Sequence, residues 1–311
     1  MEYRQLGRSG LTVSAVGLGC NNFGMRIDAD ASTEVVNQSI ESGITFFDTA
    51  EMYGGGKSEE FLGNALGKRR DEVVIATKFG GPKGPGPGQA PGSRRNAIRT
   101  CEDSLRRLGT DYIDLYYLHY PDALTPIEET LEALSDLVGQ GKVRYIASSN
   151  LLGWQIAEAD HAATDGGLQR FIGSQIEWSL LNRAVEHEVV PACRRYDVGV
   201  VPYFPLASGL LTGKHQRGVP FAEDSRMSAP YFAAVATDAN WDKIERLTKV
   251  AEDSGHTILE LAICWLLSQD GVSSVLTGAT KPEQVVANVA AGEWRLTNQE
   301  LAAVAEALAG G

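Results

Sequence analysis

The chain has little of what marks several large classes of protein. Its 311 residues include only four cysteines, Cys20, Cys101, Cys193 and Cys264, and these form no Cys-x-x-Cys pair. Their wide spacing argues against a disulfide framework and against a zinc cluster. No apolar run is long enough to span a bilayer, and the first residues lack the basic and apolar regions of a signal peptide. We therefore expect a protein of the reducing cytoplasm whose thiols lie in the core.

Positive charge is also scarce. The sequence holds 28 Lys and Arg against 40 Asp and Glu, which gives a formal net charge of −12. No cluster of Lys and Arg offsets this balance, so neither nucleic acid nor a membrane surface is an expected partner. An anionic small molecule would need a local site of its own.

Two common signatures of nicotinamide enzymes are missing as well. Gly17-Leu-Gly19 is followed by Cys-Asn-Asn-Phe-Gly with no helical pattern, so the Gly-rich turn of a Rossmann fold is absent. Tyr53 and Lys57 match a Tyr-x-x-x-Lys motif, but that motif needs a helix to bring both side chains to one face. The three glycines between them would each cost about 1 kcal/mol in a helix relative to alanine. A nucleotide, if bound, must be bound in another way.

What the sequence does contain is a regular alternation of strand and helix patterns. Short apolar runs predict eight buried parallel strands near residues 15–18, 44–48, 73–77, 113–118, 143–147, 172–176, 198–203 and 272–277. Helical patterns lie near residues 32–42, 58–67, 98–108, 127–138, 152–163, 185–195, 240–254, 257–267, 283–290 and 297–308. With a β-hairpin predicted at the start of Tyr3–Gly19, this order predicts an α/β fold, a (β/α)8 TIM barrel closed below by the hairpin and extended by extra C-terminal helices. No linker divides the chain, so we expect one domain over residues 1–311.

Four polar residues lie where the apolar runs end. Asp48, Lys78 and His119 each follow a predicted strand directly, and Tyr53 comes five residues after Asp48. In a barrel of this kind, the active site is built from the C-terminal ends of several strands. Each residue has an ordinary alternative: a buried ion pair for Asp48 and Lys78, a loop anchor for Tyr53, and a core histidine for His119. Their coincidence at successive strand ends favours a site for proton transfer.

A stretch rich in Gly and Pro, from Gly80 to Gly92, follows the third predicted strand. Both residue types disfavour helix and sheet, so a loop is expected beside the catalytic end of the barrel. One hypothesis is that this loop covers the substrate pocket as a lid. The alternative is a tolerated insertion without a role.

The segment Phe47-Asp48-Thr49-Ala50-Glu51-Met52-Tyr53-Gly54 resembles the first signature of the aldo-keto reductase family. Further motifs continue the resemblance along nearly the whole chain, within residues 76–78, 118–119, 141–150, 175–177, 205–214 and 278–284. The resemblance implies NADPH-dependent reduction of aldehydes or ketones to alcohols. In that reaction Tyr53 is the general acid, a cationic Lys78 held by Asp48 favours the phenolate, and a neutral His119 orients the substrate oxygen.

The same resemblance implies where NADPH is held. Ser149, Asn150 and Gln175 match side chains that bind the nicotinamide carboxamide, and Tyr203 matches the aromatic ring that stacks on the nicotinamide. The alternative for Ser149 and Asn150 is the N-cap of the following helix. The remaining matched positions are Pro205, Leu206, Ser208, Gly209, Leu210 and Lys214 towards the pyrophosphate, and Gly278, Thr280, Lys281, Gln284 and Asn288 at the adenosine end. Because one branch of the family has Arg where this chain has Gln284, the preference for NADPH is expected to rest on Lys281.

Candidate walls of the substrate pocket are the apolar and aromatic residues Phe23, Met52, Phe79 and Tyr120, with Trp178 and Phe204 as further candidates. Core packing is the alternative for each of them.

Two other functions compete with a carbonyl reductase. One is an NADPH-binding regulatory module similar to the β subunits of potassium channels. The other is an isomerase or aldolase barrel that uses Lys78 as a Schiff-base amine.

Overall fold

The computed structural model describes residues 1–82, 90–223 and 225–310. The chain begins with an antiparallel hairpin of β1 (Tyr3–Gln5) and β2 (Thr12–Ser14), which confirms the predicted hairpin. Leu6 in its turn is fully buried inside the barrel. A Cβ atom at Gly7 would lie 2.2 Å from the carbonyl oxygen of Ile172, so this glycine lets the hairpin lie directly against the barrel. The hairpin thereby closes the N-terminal end.

Eight parallel strands form the barrel, as the apolar runs predicted. They are β3 (Val16–Gly19), β4 (Phe46–Asp48), β5 (Val74–Phe79), β6 (Ile113–Leu118), β7 (Val143–Ser149), β8 (Gly173–Glu177), β9 (Gly199–Tyr203) and β10 (Val275–Gly278). Each strand from β3 to β8 pairs with the next, and β10 pairs with β3. Between β9 and the segment just before β10, the Val200 N–H donates to Gly271 O at 2.8 Å and the Ser273 N–H donates to Val200 O at 2.9 Å. The barrel is therefore nearly closed.

Helices cover the outside of the barrel. They are α1 (Ala29–Glu41), α2 (Lys57–Leu66), α3 (Arg94–Leu108), α4 (Ile127–Gly139), α5 (Gly153–Gly166), α6 (Val189–Arg195), α7 (Pro230–Ala233), α8 (Asp238–Asp253), α9 (Ile258–Leu267), α10 (Pro282–Ala290) and α11 (Asn298–Ala309). The extra helices predicted near 257–267 and 297–308 are present as α9 and α11, and capping boxes begin both of them. The helix predicted near 185–195 is shorter, because a 3-10 turn at Ala184–His187 precedes α6. No helix in the described ranges is long and apolar enough to cross a membrane.

The interior of the barrel is a packed apolar layer below a polar one. Phe46, Ala76, Tyr117, Ala147 and Val201 belong to one buried cluster inside the strands. Because side chains two residues apart share a face of a strand, the next inward positions toward the C-terminal end are Asp48, Lys78, His119, Ser149 and Tyr203. The strand period therefore brings the polar residues at the strand ends to one end of the barrel.

The four cysteines are buried and unpaired. The hypothesis of a lid over Gly80 to Gly92 depends on residues 83–89, which lie outside the described residues.

Candidate active site

A buried ion pair forms the floor of the site. Lys78 Nζ lies 2.6 Å from Asp48 Oδ2 and donates to the carbonyl oxygen of Thr49 at 2.7 Å. The same Nζ lies 3.5 Å from the hydroxyl oxygen of Tyr53. The Lys78 side chain is 0% exposed and that of Asp48 4%. The structure therefore brings Asp48, Tyr53 and Lys78 together, and the loop after β4 places the phenol above the lysine.

Gln175 joins this group from the far side of the barrel. Its Nε2 donates to Asp48 Oδ1 at 2.7 Å, so both oxygens of the carboxylate are hydrogen bonded. Burial raises the pKa of Asp48 and lowers the pKa of Lys78, and the attraction between the two charges opposes both shifts. The hydrogen bonds that Asp48 accepts from Lys78 and Gln175, and that Lys78 donates to Asp48 and Thr49, favour the charged pair, since ionised groups make the stronger hydrogen bonds.

The electrostatics of Tyr53 differ from the sequence-based expectation. That expectation was a phenol whose ionisation is favoured by Lys78. Burial, followed by the Asp48 carboxylate, instead raises the pKa of Tyr53 well above its ordinary value. The reason is that the phenolate would lose its hydration and would lie near a second negative charge. Tyr53 is thus protonated at neutral pH, which suits a proton donor.

His119 lies beside Tyr53 on the wall of the same cavity. The two rings are 5.9 Å apart between centroids and nearly perpendicular, at 81°. Burial, followed by the nearby Lys78 cation, lowers the pKa of His119 to about 2. Its Nδ1 is buried and has no hydrogen-bond partner among the described residues. The imidazole is therefore neutral at physiological pH, in the form expected from the sequence.

We expect His119 to make the fold less stable in acid. The folded protein takes up a proton here only near pH 2, whereas the unfolded chain takes one up near pH 6.5. The unfolded state thus binds more protons between these values, and stability falls as the pH falls through this window, by up to about 1.4 kcal/mol per pH unit. Replacing His119 by Gln should reduce the loss of unfolding free energy between pH 7 and pH 5, measured by urea denaturation. An equal loss in both proteins would contradict this assignment.

Asn150 connects three strand ends across the site. Its Nδ2 donates to the carbonyl oxygen of His119 at 2.9 Å, and its Oδ1 accepts from the hydroxyl of Tyr203 at 2.8 Å. Its φ of 61° is left-handed, which is uncommon outside glycine but tolerated by asparagine. The N-cap of α5 is Leu152, so neither Ser149 nor Asn150 caps that helix. The alternative of a simple helix cap is therefore wrong.

A long cavity of about 1010 Å³ extends from this polar floor to the beginning of α10. Most of the positions predicted to hold a cofactor line it, namely Ser149, Asn150, Gln175, Tyr203, Pro205, Leu206, Ser208, Gly209, Lys214, Gly278, Thr280, Lys281, Gln284 and Asn288. Leu210 is the exception, because its side chain is buried in the core. The Gln284 side chain folds back over the first turn of α10 and accepts from the Thr280 N–H at 2.7 Å.

Two of the four predicted pocket walls lie elsewhere. Met52 and Tyr120 line the cavity, as Phe204 does, but Phe23 and Phe79 are fully buried in the core. Phe79 stacks on Tyr116, with 4.9 Å between ring centroids, on the outer face of the barrel. The strand period explains this placement, since a residue adjacent to the inward-facing Lys78 must point outward. Trp178 is also buried, against Trp265.

A hydrogen-bonded group of three is among the cavity residues that the sequence did not indicate. Arg226, from the long segment after β9, donates to Asn21 at 3.1 Å and to Asn22 at 2.8 Å, and all three line the cavity. The guanidinium also lies 5.6 Å from the ring centroid of Phe204 and 5.3 Å from that of Phe232. An isolated arginine in a segment without strand or helix periodicity gave no signal that could have marked it.

Comparisons with known proteins agree with this geometry. The sequence profile described as "Aldo/keto reductase family" matches residues 15–309. The chain is 38% identical to "Probable voltage-gated potassium channel subunit beta" of Arabidopsis thaliana, over 94% of this chain and 91% of that protein. It is 34% identical to "L-glyceraldehyde 3-phosphate reductase" of Escherichia coli (strain K12), over 100% of this chain and 93% of that protein. It is 35% identical to "Probable aldo-keto reductase 1" of Glycine max, over 98% of this chain and 88% of that protein. With its barrel and its array of polar strand ends, the chain is an oxidoreductase that belongs to the aldo/keto reductase family.

Proposed function

We propose that this protein reduces aldehydes or ketones to alcohols with NADPH, and that Tyr53 is the proton donor. The observation that carries the proposal is the contact of Lys78 with both Asp48 and Tyr53, at 2.6 and 3.5 Å, on the floor of the long cavity. These side chains come from the ends of different strands and a following loop. A shared role in proton transfer explains why they meet there.

When bound, the reduced nicotinamide supplies a hydride to the carbonyl carbon. Tyr53 gives its proton to the oxygen as negative charge develops on it. The raised pKa of the phenol keeps this proton in place until that charge appears. Lys78 stabilises the phenolate that remains, and Asp48 keeps Lys78 charged and oriented. The neutral His119 donates a hydrogen bond to the substrate oxygen and sets its orientation.

The residues of the cavity fit a dinucleotide phosphate. Near the floor, Ser149, Asn150 and Gln175 offer a hydroxyl and two amides, which suit a carboxamide that both donates and accepts. Lys214 and Lys281 form no salt bridge with any residue in the described ranges, so no carboxylate there competes with a phosphate for either amine. Lys281 is also the N-cap of α10, where backbone N–H groups favour an anion.

We predict that Lys281→Ala weakens NADPH binding more than NADH binding. Only NADPH carries the 2′-phosphate, and a charge-assisted hydrogen bond to it is the interaction that the variant removes. Dissociation constants for both cofactors, from fluorescence titration, provide the measurement. Lys243→Ala on α8, outside the cavity, is the control and should leave both constants unchanged. Equal weakening of the two cofactors by Lys281→Ala would show that the 2′-phosphate is not held there.

A second candidate function is an NADPH-binding module that regulates a partner. The specific observation in its favour is the 38% identity to a relative named as a probable potassium channel β subunit. Such a module and an enzyme can share the same site, so turnover distinguishes them. Rapid multiple turnover with carbonyl compounds favours the enzyme, whereas tight NADPH binding with negligible turnover favours the module.

The Schiff-base alternative fits the geometry poorly. An amine that attacks a carbonyl must be neutral and accessible. Lys78 Nζ instead contacts Asp48, Thr49 and Tyr53 below the cavity, and its side chain is fully buried.

Addition of an aromatic aldehyde to the protein with NADPH tests the proposal. The loss of absorbance at 340 nm should match the alcohol formed, mole for mole. No consumption of NADPH across a panel of aldehydes and ketones would refute it.

Cytoplasmic localisation remains a prediction from the sequence.

A further inference from the structure

The turn that carries Tyr53 has little rigidity of its own. Gly54, Gly55 and Gly56 follow Tyr53 with φ values of 60°, 66° and 96°, all in the left-handed region. Glycine restricts its backbone least of all residues, so three in succession cannot by themselves fix the phenol. The turn holds Tyr53 by backbone hydrogen bonds, from the Tyr53 N–H to Ala50 O at 3.1 Å and from the Gly55 N–H to Met52 O at 3.2 Å, and further contacts of the segment help to fix the phenol.

The two ends of the segment are joined by a pair of hydroxyl groups. Thr49 Oγ1 and Ser58 Oγ lie 2.8 Å apart, and Ser58 Oγ donates to the carbonyl oxygen of Cys20 at 2.8 Å. Thr49 also accepts a hydrogen bond from Lys78 through its carbonyl oxygen. Residues 49–58 therefore form a loop that is closed at its base directly beside the buried lysine.

Glu59, the next residue, ties the end of this loop to two other elements. Its carboxylate is fully buried and accepts from Thr77 Oγ1 at 2.5 Å and from Arg107 Nε at 2.6 Å. Thr77 immediately precedes Lys78 in β5, and Arg107 lies on α3. One carboxylate thus connects the loop, the strand of the catalytic lysine and a helix.

Arg107 also supports the glycine turn directly. A Cβ atom at Gly56 would lie 2.9 Å from Arg107 Cδ and 3.2 Å from its Nε. The arginine side chain therefore packs against the backbone of the turn. Neither Glu59 nor Arg107 lines the cavity.

We propose that Glu59, through its ion pair with Arg107, is a positioning residue for Tyr53. The pair holds the glycine turn so that the phenol stays beside Lys78. This inference rests on the proposed function, because it assigns a role in the step in which Tyr53 donates a proton. It predicts that disturbing Glu59 slows the reaction without weakening the binding of either reactant.

Glu59→Gln is the first test, since it preserves size and the hydrogen bond with Thr77 while removing the charge that holds Arg107. A displacement of about 1 Å can cost about 10²-fold in rate, so we expect kcat to fall roughly 10- to 100-fold. The KM for the aldehyde and the Kd for NADPH should stay close to wild type. The alkaline limb of the pH profile of kcat reports the pKa of the acid in the bound complex. Its midpoint should shift in this variant. Thr77→Val removes only the hydroxyl contact, and its kcat should also fall.

Asp114→Asn is the matched control. Asp114 is likewise buried, and it is paired with Arg70 at 2.7 Å and Arg144 at 2.9 Å, but at the N-terminal end of the barrel. This variant should lower the melting temperature and leave both kcat and the alkaline limb unchanged. A folded Glu59→Gln protein with wild-type kcat and pH profile would overturn the inference alone. If that variant does not fold, an unchanged kcat in Thr77→Val would overturn it. A wild-type protein that reduces no carbonyl compound would overturn the proposed function and this inference together.

Discussion

Replacing Tyr53 by Phe is expected to slow carbonyl reduction by roughly 10²–10⁴-fold, the usual contribution of a general acid. The variant removes one hydroxyl, which lies 3.5 Å from Lys78 Nζ, and keeps the ring that packs against His119. Because this hydroxyl acts on the substrate oxygen, the Kd for NADPH should remain near the wild-type value. Steady-state kinetics with an aromatic aldehyde and a fluorescence titration with NADPH provide the two measurements.

Tyr120→Phe is the control for this experiment. Tyr120 lines the same cavity and stacks on His119 with 4.6 Å between ring centroids, but it has no hydrogen bond to Lys78. Its loss of a hydroxyl should therefore affect kcat far less than the same change at Tyr53. If Tyr53→Phe costs less than about tenfold, below the range of a general acid, Tyr53 does not hold that role.

Lys78→Met is expected to abolish most activity and also to destabilise the fold. The substitution leaves the buried Asp48 with Gln175 as its remaining side-chain partner. Removing one partner of a buried ion pair typically costs about 3–5 kcal/mol. Both kcat and the unfolding free energy should therefore fall, the latter measured by urea denaturation.

The pH dependence of that destabilisation identifies its cause. Burial already raises the pKa of Asp48, and the loss of the Lys78 cation must raise it further. A raised carboxyl pKa means that the folded state binds the proton more tightly, so its stability falls as the pH rises through that pKa. The deficit of Lys78→Met should thus be smaller at pH 5 than at pH 8. Lys142→Met, which breaks a surface pair with Glu102, should show little deficit at either pH. A deficit independent of pH would contradict an unpaired Asp48.

The fold could be predicted because two periods are explicit in the sequence. Apolar runs of strand length alternate with helical patterns, and the structure places a strand at each of the eight runs. The same logic located Asp48, Lys78 and His119, since each one directly follows or ends an apolar run. The strand period also predicts that Phe79 points away from the pocket, because it neighbours the inward-facing Lys78. Phe79 was assigned to the pocket because that period was not applied to it.

Other features of the site depend on contacts between residues far apart in the chain. Gln175 reaches Asp48 across 127 positions, and Arg226 reaches Asn22 across 204. No local pattern encodes such pairs, because they arise from the closure of the barrel and the path of a long segment. The direction of the pKa shift of Tyr53 could also be assigned only from the structure. It follows from burial, the largest cause, with the Asp48 carboxylate second, and both raise the pKa.

In the proposed reaction, this cavity brings NADPH and a carbonyl compound together so that hydride passes directly to the carbonyl carbon. Isotope tracing tests it most directly. NADPH deuterated at the transferred position of its nicotinamide is supplied with an aromatic aldehyde, and the alcohol is analysed by mass spectrometry and NMR. The proposal predicts one deuterium on the former carbonyl carbon and none on oxygen after exchange with water. An alcohol without deuterium, or deuterated NADPH that binds and is never consumed, would contradict it.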